Sequence, residues 1–403
     1  MRRPILTIFY QYDPWNASIG GIQTVIDTFI KYSSEQFCLR MVGTAASKEW
    51  KVGCWQTATL FGREVEFFPL FRSFNDNVRQ LIPTSMRYMA ALLKRQLASD
   101  FMHFHRLEPT LSVMNWPGEK TLFVHNDIQK QISRGGEGGT GILWQRFPEA
   151  YLTLEKVLLN QFDQILSCNA SSTLFYLSRY PKLAQRIKNV KNAIDDQLFY
   201  PLPAHQKVEK RLEILSNLGL SPETKLVLFA GRLHPQKNPL LLVQSIAALS
   251  DPQIHLLLAG AGELESAVRA EVQKLHLERQ VTLLGAVPRQ DLAELQRIAD
   301  VFVLTSDYEG LPMVALEALA SGTPLVTTPC EQVEALLSPT SGVVCRERTP
   351  ARVADAILRV LKHPEQFPSS ACLASAAPYQ AQEVIRGVYD AMWSRWQQKQ
   401  QQL

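Results

Sequence analysis

The 403-residue chain is predicted to be an α/β protein of two doubly wound halves, and three observations carry that expectation. Short apolar runs alternate with amphipathic stretches along most of its length, the pattern of parallel strands covered by helices. The length is too great for one comfortable hydrophobic core, which favours two domains. The halves also begin alike, each with a strand, a glycine-containing loop and a helix, first around Gly20 and Gly21 and again around Gly231.

In the first half, runs rich in Val, Ile, Leu and Phe fall at residues 5–10, 37–42, 121–125 and 164–168. In the second they recur at 225–230, 254–259, 281–284, 301–304 and 325–328. They alternate little, as strands buried on both faces require. The first helix is expected from about Ile22 and its counterpart from about Pro239. A strand, loop and helix in this order point backbone N–H groups toward an anion. Doubly wound sheets bind ligands at the carboxyl ends of their strands, so two such halves facing each other would form one cleft.

The pattern is interrupted around residues 195–222 by Asp195, Asp196, Pro201 and Pro203, which divides the chain into expected domains 1–198 and 199–375. Residues 376–403 are left as a C-terminal helix and tail. Tyr389, Met392, Trp393 and Trp396 recur there at helical spacing and should dock on apolar surface, packing the helix back on the N-terminal domain. The glutamine-rich end from Gln397 is expected to fray.

Composition narrows the function classes. With 46% hydrophobic and 20% charged residues, the balance is that of a soluble globular protein. A net charge of +4 fits an anionic small ligand or membrane surface and is too weak to argue for nucleic acid. No stretch approaches the roughly 20 apolar residues that cross a bilayer. The apolar run at 5–10 is too short for a signal peptide and passes directly into polar residues. Six cysteines, Cys38, Cys54, Cys168, Cys330, Cys345 and Cys372, are scattered without metal-ligand spacing. They are expected to be small buried hydrophobes of a reducing compartment, most simply the cytoplasm.

The sharpest local signal runs from Ser306 to Glu317. A strand ends, a loop carries Glu309-Gly310, and Pro312 is expected at the first helical position. Glu317 then lies about five residues into that helix, on the order of 8 Å along its axis. Gly310 lets backbone approach a ligand, and free N–H groups near Leu311, Pro312, Met313 and Val314 can hold a phosphate. The two glutamates alone would be read as unrelated helix-start acids. A second loop changes that reading: Gly231-Arg232 and Lys237 follow a buried strand, and an Arg fork with a Lys point charge suits a diphosphate and its developing charge.

Gly231-Arg232-x4-Lys237, then Ala259-Gly260-Ala261-Gly262-Glu263, then Glu309-x7-Glu317, in this order and spacing, resembles the family 4 glycosyltransferases of GT-B fold. The likeness covers roughly residues 222–360; in the N-terminal half it rests on Gly20, Gly21 and His125. It implies two Rossmann-like domains facing across a cleft, with the nucleotide-sugar donor on the C-terminal side and the acceptor on the N-terminal side. Arg232 and Lys237 would bind the donor diphosphate, Glu309 the sugar hydroxyls and Glu317 the ribose hydroxyls. Gly231, Gly262, Gly310, Leu311, Pro312 and Met313 would line the donor site, Val287 would meet the base through backbone groups, and Gly20 and Gly21 would approach the phosphates or sugar. His125, which alone would be read as structural, would sit near the anomeric centre.

The family transfers with retention, and no residue here reads as a covalent nucleophile. The expectation is therefore a metal-independent transfer of a hexose-type sugar to a saccharide or lipid-linked saccharide, in cell-surface polysaccharide or glycolipid synthesis. No cofactor is expected, and no Asp-x-Asp occurs. A nucleotide-sugar epimerase, a phosphorylase and a catalytically silent binding protein remain as alternatives. His103 and His105 alternate on a strand, for which packing is expected over metal binding. The loop 135–141 lacks a P-loop ending and is read either as a cleft loop or as plain surface. The stretch 78–97 is expected to form an ordinary surface helix, with a basic amphipathic helix on the cytoplasmic face of a membrane as the alternative for a lipid-linked acceptor.

Overall fold

A computed structural model describes residues 2–16, 21–73, 83–125 and 148–402. Gly20, the loop 135–141 and the start of the stretch 78–97 lie outside the described residues. The chain divides into two compact units, residues 1–193 with 382–403, and residues 194–381; the sequence reading put the joins at 198/199 and 375/376.

The first unit is built from β1 (Ile5–Phe9), α1 (Gly21–Lys31), β2 (Cys38–Ala45), β3 (Gln56–Leu60), β4 (Arg63–Arg72), α2 (Thr84–Leu93), β5 (Phe101–Phe104), β6 (Glu119–Val124), α3 (Pro148–Leu159), β7 (Gln164–Ser167), α4 (Ala170–Arg179) and β8 (Ile187–Asn189). Its sheet has the order β3-β4-β2-β1-β5-β6-β7-β8, parallel except where β3 pairs antiparallel with β4. Phe9 stacks on Phe104 at 4.7 Å between ring centroids, with Trp116 at 5.8 Å from Phe9. These large side chains supply the apolar burial that holds one face of the sheet.

The second unit contains α5 (Ala204–Asn217), β9 (Lys225–Ala230), α6 (Pro239–Leu249), β10 (Ile254–Ala259), α7 (Glu265–Lys274), β11 (Val281–Gly285), α8 (Arg289–Ile298), β12 (Val301–Leu304), α9 (Met313–Ala320), β13 (Leu325–Thr327), α10 (Glu331–Glu334), β14 (Gly342–Val344), α11 (Pro350–Lys362) and α12 (Ser369–Ala376). Its sheet is parallel throughout, in the order β11-β10-β9-β12-β13-β14. The chain enters at β9, winds outward through β10 and β11, then returns to β12 on the other side. That reversal is a topological switch point, the place at which doubly wound sheets bind their ligands.

The final helix, α13 (Ala381–Gln401), packs on the N-terminal unit, as its aromatic spacing predicted. Tyr389 is buried against Phe37 at 5.2 Å and donates to the Phe29 carbonyl at 3.2 Å. Arg395 grips the buried Glu119 carboxylate at 2.7 and 3.0 Å. The tail is helical to Gln401, where fraying from Gln397 had been expected: an established helix extends more easily than it starts.

Two further expectations are corrected. Cys54 is exposed and Cys38 half-buried, because one lies in a turn and the other opens β2. Pro312 is the N-cap of α9, with φ −70° and ψ 120°, and Met313 is the first helical residue; extended backbone at the cap is the usual way into a helix. In the stretch 78–97, helix α2 stops at Leu93. It buries Tyr88 and Leu92 and exposes Met86 and Leu93. Among the described residues, no helix is long and apolar enough to cross a membrane.

Candidate active site

The loop leaving β9 is shaped by glycine contacts between backbones. Gly231 N–H donates to Ala259 O and Leu233 N–H to Ala261 O, both at 3.0 Å, so this loop lies directly against the one leaving β10. A Cβ on Gly260, whose φ is +154°, would stand 1.8 Å from Gly231 O; one on Gly262 would stand 2.4 Å from Leu233 O. Gly262, a candidate donor residue, therefore has a packing reason of its own.

Beyond Leu233 the chain makes a single tight turn at Pro235–Lys237. His234 Nδ1 accepts from Gln236 N–H at 3.1 Å. Asn238 takes a left-handed conformation (φ +46°), and its side chain caps α6 by accepting from Leu241 N–H at 3.2 Å. This geometry brings Lys237 to Glu309, and the two form an ion pair across 72 residues of sequence. Ser306 Oγ donates to the same carboxylate oxygen at 2.5 Å.

Hydrogen bonds to backbone carbonyls lock the two loops together. Asp307 N–H donates to Gln236 O at 2.8 Å, and Gln236 Nε2 to Tyr308 O at 3.0 Å. Thr305 Oγ1 donates to the carbonyls of Lys237 and Asn238 at 3.0 and 2.9 Å. Arg232 stands apart from this network. It is exposed and has no hydrogen-bond or ion-pair partner among the described residues, a guanidinium free to take an anion.

Gly310 and Leu311 are half-buried, Pro312 and Met313 buried. No side chain caps α9; Ala315 N–H donates to Pro312 O at 3.1 Å, and the Met313 and Val314 N–H groups, without a partner among the described residues, keep their capacity for an anion. Glu317 is the fifth residue of α9 and nearly fully buried. Arg289 Nη2 reaches it at 2.9 Å, while the Arg289 guanidinium lies 5.2 Å from the Phe199 ring centroid. Burial pushes the Glu317 carboxyl upward, and Arg289 pulls it the other way. Val287 is half-buried in the turn between β11 and α8.

Arg232, Lys237, Glu309, Glu317, Gly231, Gly262, Val287 and the run from Gly310 to Met313 thus share one unit and the carboxyl side of one sheet. His125 and Gly21 belong to the other unit. Gly21 is exposed at the first position of α1, and a Cβ there would meet nothing within 4 Å. His125 follows β6; its Nε2 bonds His105 Nδ1 at 2.8 Å, and its Nδ1 lies 3.6 Å from Cys168 Sγ. Both ring nitrogens are engaged, and burial lowers the pKa to about 4, so this imidazole is neutral at neutral pH.

Behind it, His103 is fully buried with neither ring nitrogen partnered among the described residues, and desolvation, assisted by Arg395, lowers its pKa to about 3. A neutral buried histidine that charges on unfolding makes the unfolded state bind more protons below its ordinary pKa of about 6.5. Stability is therefore expected to fall as pH drops below that value. His103→Leu should lose about 2 kcal/mol less than the wild type between pH 7 and pH 5, read from urea midpoints; an unchanged pH dependence contradicts the neutral assignment.

Sequence reasoning missed Ser306, Arg289 and His105 as partners of Glu309, Glu317 and His125. Among the described residues, no group of three or more His, Cys, Asp or Glu is placed to hold a metal ion. A cavity of about 370 Å³ lies in the first unit between its sheet and α13, and none of the candidate residues lines it.

Comparison with known proteins bears on the family and the fold. The family described as glycosyl transferases group 1 matches residues 210–373. Mannosylfructose-phosphate synthase of Agrobacterium fabrum is 30% identical over 62% of this chain and 58% of its own length. D-inositol 3-phosphate glycosyltransferase of Segniliparus rotundus is 31% identical over 55% and 49%. The matched stretch thus spans about half the length of such curated relatives. Among solved structures, Anabaena HepE in complex with UDP and glucose aligns over 96% of this chain and 99% of its own, with a TM-score of 0.72 and 16% identity. Sucrose-phosphate synthase from Thermosynechococcus elongatus aligns over 99% of both chains, at 0.73 and 18%. At such identities the likeness shows the fold alone, and that fold is GT-B, as expected from the sequence.

Proposed function

From the premise that residues 210–373 belong to the glycosyl transferases group 1 family, we propose that the protein is a retaining glycosyltransferase. It moves a hexose-type sugar from a nucleotide diphosphate donor to a hydroxyl of a saccharide or lipid-linked saccharide. The observation that carries this reading is the pairing of Lys237 with Glu309 at the switch point, with the Arg232 guanidinium, unpaired among the described residues, on the same loop as Lys237.

In this reading Arg232 and Lys237 hold the diphosphate together with the first turn of α9. Glu309 takes the sugar hydroxyls and Glu317 the ribose. Gly20 and Gly21 are assigned to donor binding, Val287 to the base, and the N-terminal unit to the acceptor. His125 acts as a neutral imidazole near the sugar and moves no proton.

Glu309 is assigned to the sugar hydroxyls in this reading, and no residue of the site is assigned as a covalent nucleophile. The acceptor hydroxyl therefore bonds to the anomeric carbon on the face from which the diphosphate departs, and a phosphate oxygen of the leaving group takes the hydroxyl proton. The protein supplies position and charge, without a metal. Work on a lipid-linked acceptor in cell-surface polysaccharide or glycolipid synthesis, at the cytoplasmic face of a membrane, would suit the exposed Met86 and Leu93 of α2 as a peripheral contact.

A thermal-unfolding screen of UDP-, GDP- and ADP-sugars tests the reading. One nucleotide class should raise the midpoint, with about 2.7 kcal/mol of stabilisation at a hundred times its Kd, and excess chelator should leave transfer unchanged. No response to any nucleotide sugar would contradict the donor assignment, and loss of activity in chelator would contradict the metal-free step.

A further inference from the structure

Glu309 is held on one side only. Lys237 and Ser306 both converge on Oε1, while Oε2 has no hydrogen-bond partner among the described residues. The two holders differ in kind. Lys237 is a point charge on a flexible stem, and the diphosphate of an arriving donor competes for it. Ser306 is completely buried and has nowhere else to turn.

Its backbone is pinned from behind. Thr328 Oγ1 donates to Ser306 O at 2.6 Å, and Cys330 Sγ approaches the same oxygen at 3.4 Å. Arg348 Nη2 ties Pro329 O to Asp307 O at 2.6 and 2.9 Å. The segment after β13 and Arg348 therefore brace the Glu309 loop, and the Ser306 hydroxyl links that brace to the carboxylate. A hydroxyl-to-carboxylate bond of 2.5 Å is of the charge-assisted class, the stronger kind of hydrogen bond.

We infer that Ser306 is the positioning residue for Glu309: when the donor phosphates draw Lys237 away, the Ser306 hydroxyl alone keeps Oε1 in place and leaves Oε2 directed to the sugar. This rests on the glycosyl-transfer reading and adds a residue to it. The bond differs from a merely structural one because its effect must pass entirely through Glu309.

The test is a double-mutant cycle on the full chain, using whichever of UDP, GDP and ADP the wild type binds and the matching nucleotide sugar that it consumes. Ser306→Ala should lower kcat by about tenfold or more while the nucleoside diphosphate Kd, measured by calorimetry, stays within about twofold. In the Glu309→Gln background the same change should have no further effect. Ser306→Cys, which keeps volume and a weak donor, should fall between wild type and alanine.

Wild-type turnover in Ser306→Ala overturns the positioning role, and so does a full additional loss in the Glu309→Gln background. A parallel loss of nucleotide affinity overturns it as well, since that marks a general disturbance of the loop. If the wild type binds no nucleoside diphosphate, the glycosyl-transfer reading itself fails and takes this one with it.

Discussion

Replacing Arg232 by alanine is expected to lower kcat by about 10²–10³-fold, the usual cost of removing one donor aimed at charge that develops in the transition state. The surroundings make this a clean test. Arg232 is exposed, and it carries no partner among the described residues, so its removal breaks no bond that the fold depends on. Stability should change by no more than about 0.5 kcal/mol, as for ordinary surface substitutions. The loss should therefore appear in kcat, and in KM only as far as ground-state phosphate binding uses the same fork. Lysine at this position keeps the charge without the bidentate geometry and should recover only part of the rate. Steady-state kinetics of the three proteins decide the matter: near-wild-type turnover in Arg232→Ala removes the residue from the mechanism.

Gly260→Ala is expected to act through the fold and then through the site. A methyl group there would stand 1.8 Å from Gly231 O, at a φ of +154°, so the backbones of two loops would have to separate. Strain and overpacking of this sort cost on the order of 3 kcal/mol, read from the chemical-denaturation midpoint. Because Arg232 follows Gly231 directly and Lys237 lies on the same loop, the surviving folded protein should also lose turnover. Gly387→Ala is the matched control. It lies in the interior of α13, where an added Cβ meets nothing within 4 Å, and it should gain about 0.5–1 kcal/mol from helix propensity. A Gly260→Ala protein with wild-type stability and rate would show that the loops are not packed as described.

How far the sequence reaches can be judged from particular elements. The apolar strands of the second unit, β9, β10 and β12, were legible to the residue because both faces are covered and every position but the exposed Lys225 reports burial. The strands β8 and β14 were not: Ile187-Lys188-Asn189 buries one apolar residue and exposes two polar ones, and Gly342-Val343-Val344 opens on glycine and is only partly buried, whereas the equally short β13 is buried throughout. The hairpin of β3 and β4 was missed for another reason. Its two-residue turn is Phe61-Gly62, with φ of +50° and +76°, and phenylalanine at the first turn position hides the Asn-Gly or Asp-Gly signature by which such turns are recognised.

The site shows the same division. Arg232, Lys237, Glu309 and Glu317 stand at loop and helix starts with fixed spacing, so a linear pattern exposes them. Their holders do not follow from spacing. Arg289 meets Glu317 across 28 residues because the turn after β11 and the helix α9 lie on the same side of the sheet, and nothing local in Pro288-Arg289 announces it. Ser306 was written into the motif without a role, since a serine before a loop has many uses and only the brace behind it selects one. His105 was read as packing; the structure adds that it occupies one nitrogen of His125. In each case the residue assigned to a ligand was legible, and the residue that holds it in place needed three dimensions.

The most direct test is a crystal structure with a bound nucleoside diphosphate. It should show the phosphates within hydrogen-bond reach of the Arg232 guanidinium, the Lys237 ammonium and the first-turn N–H groups of α9, with Lys237 drawn off Glu309. A diphosphate bound elsewhere, leaving Arg232 in solvent and the Lys237–Glu309 pair intact, would contradict the account.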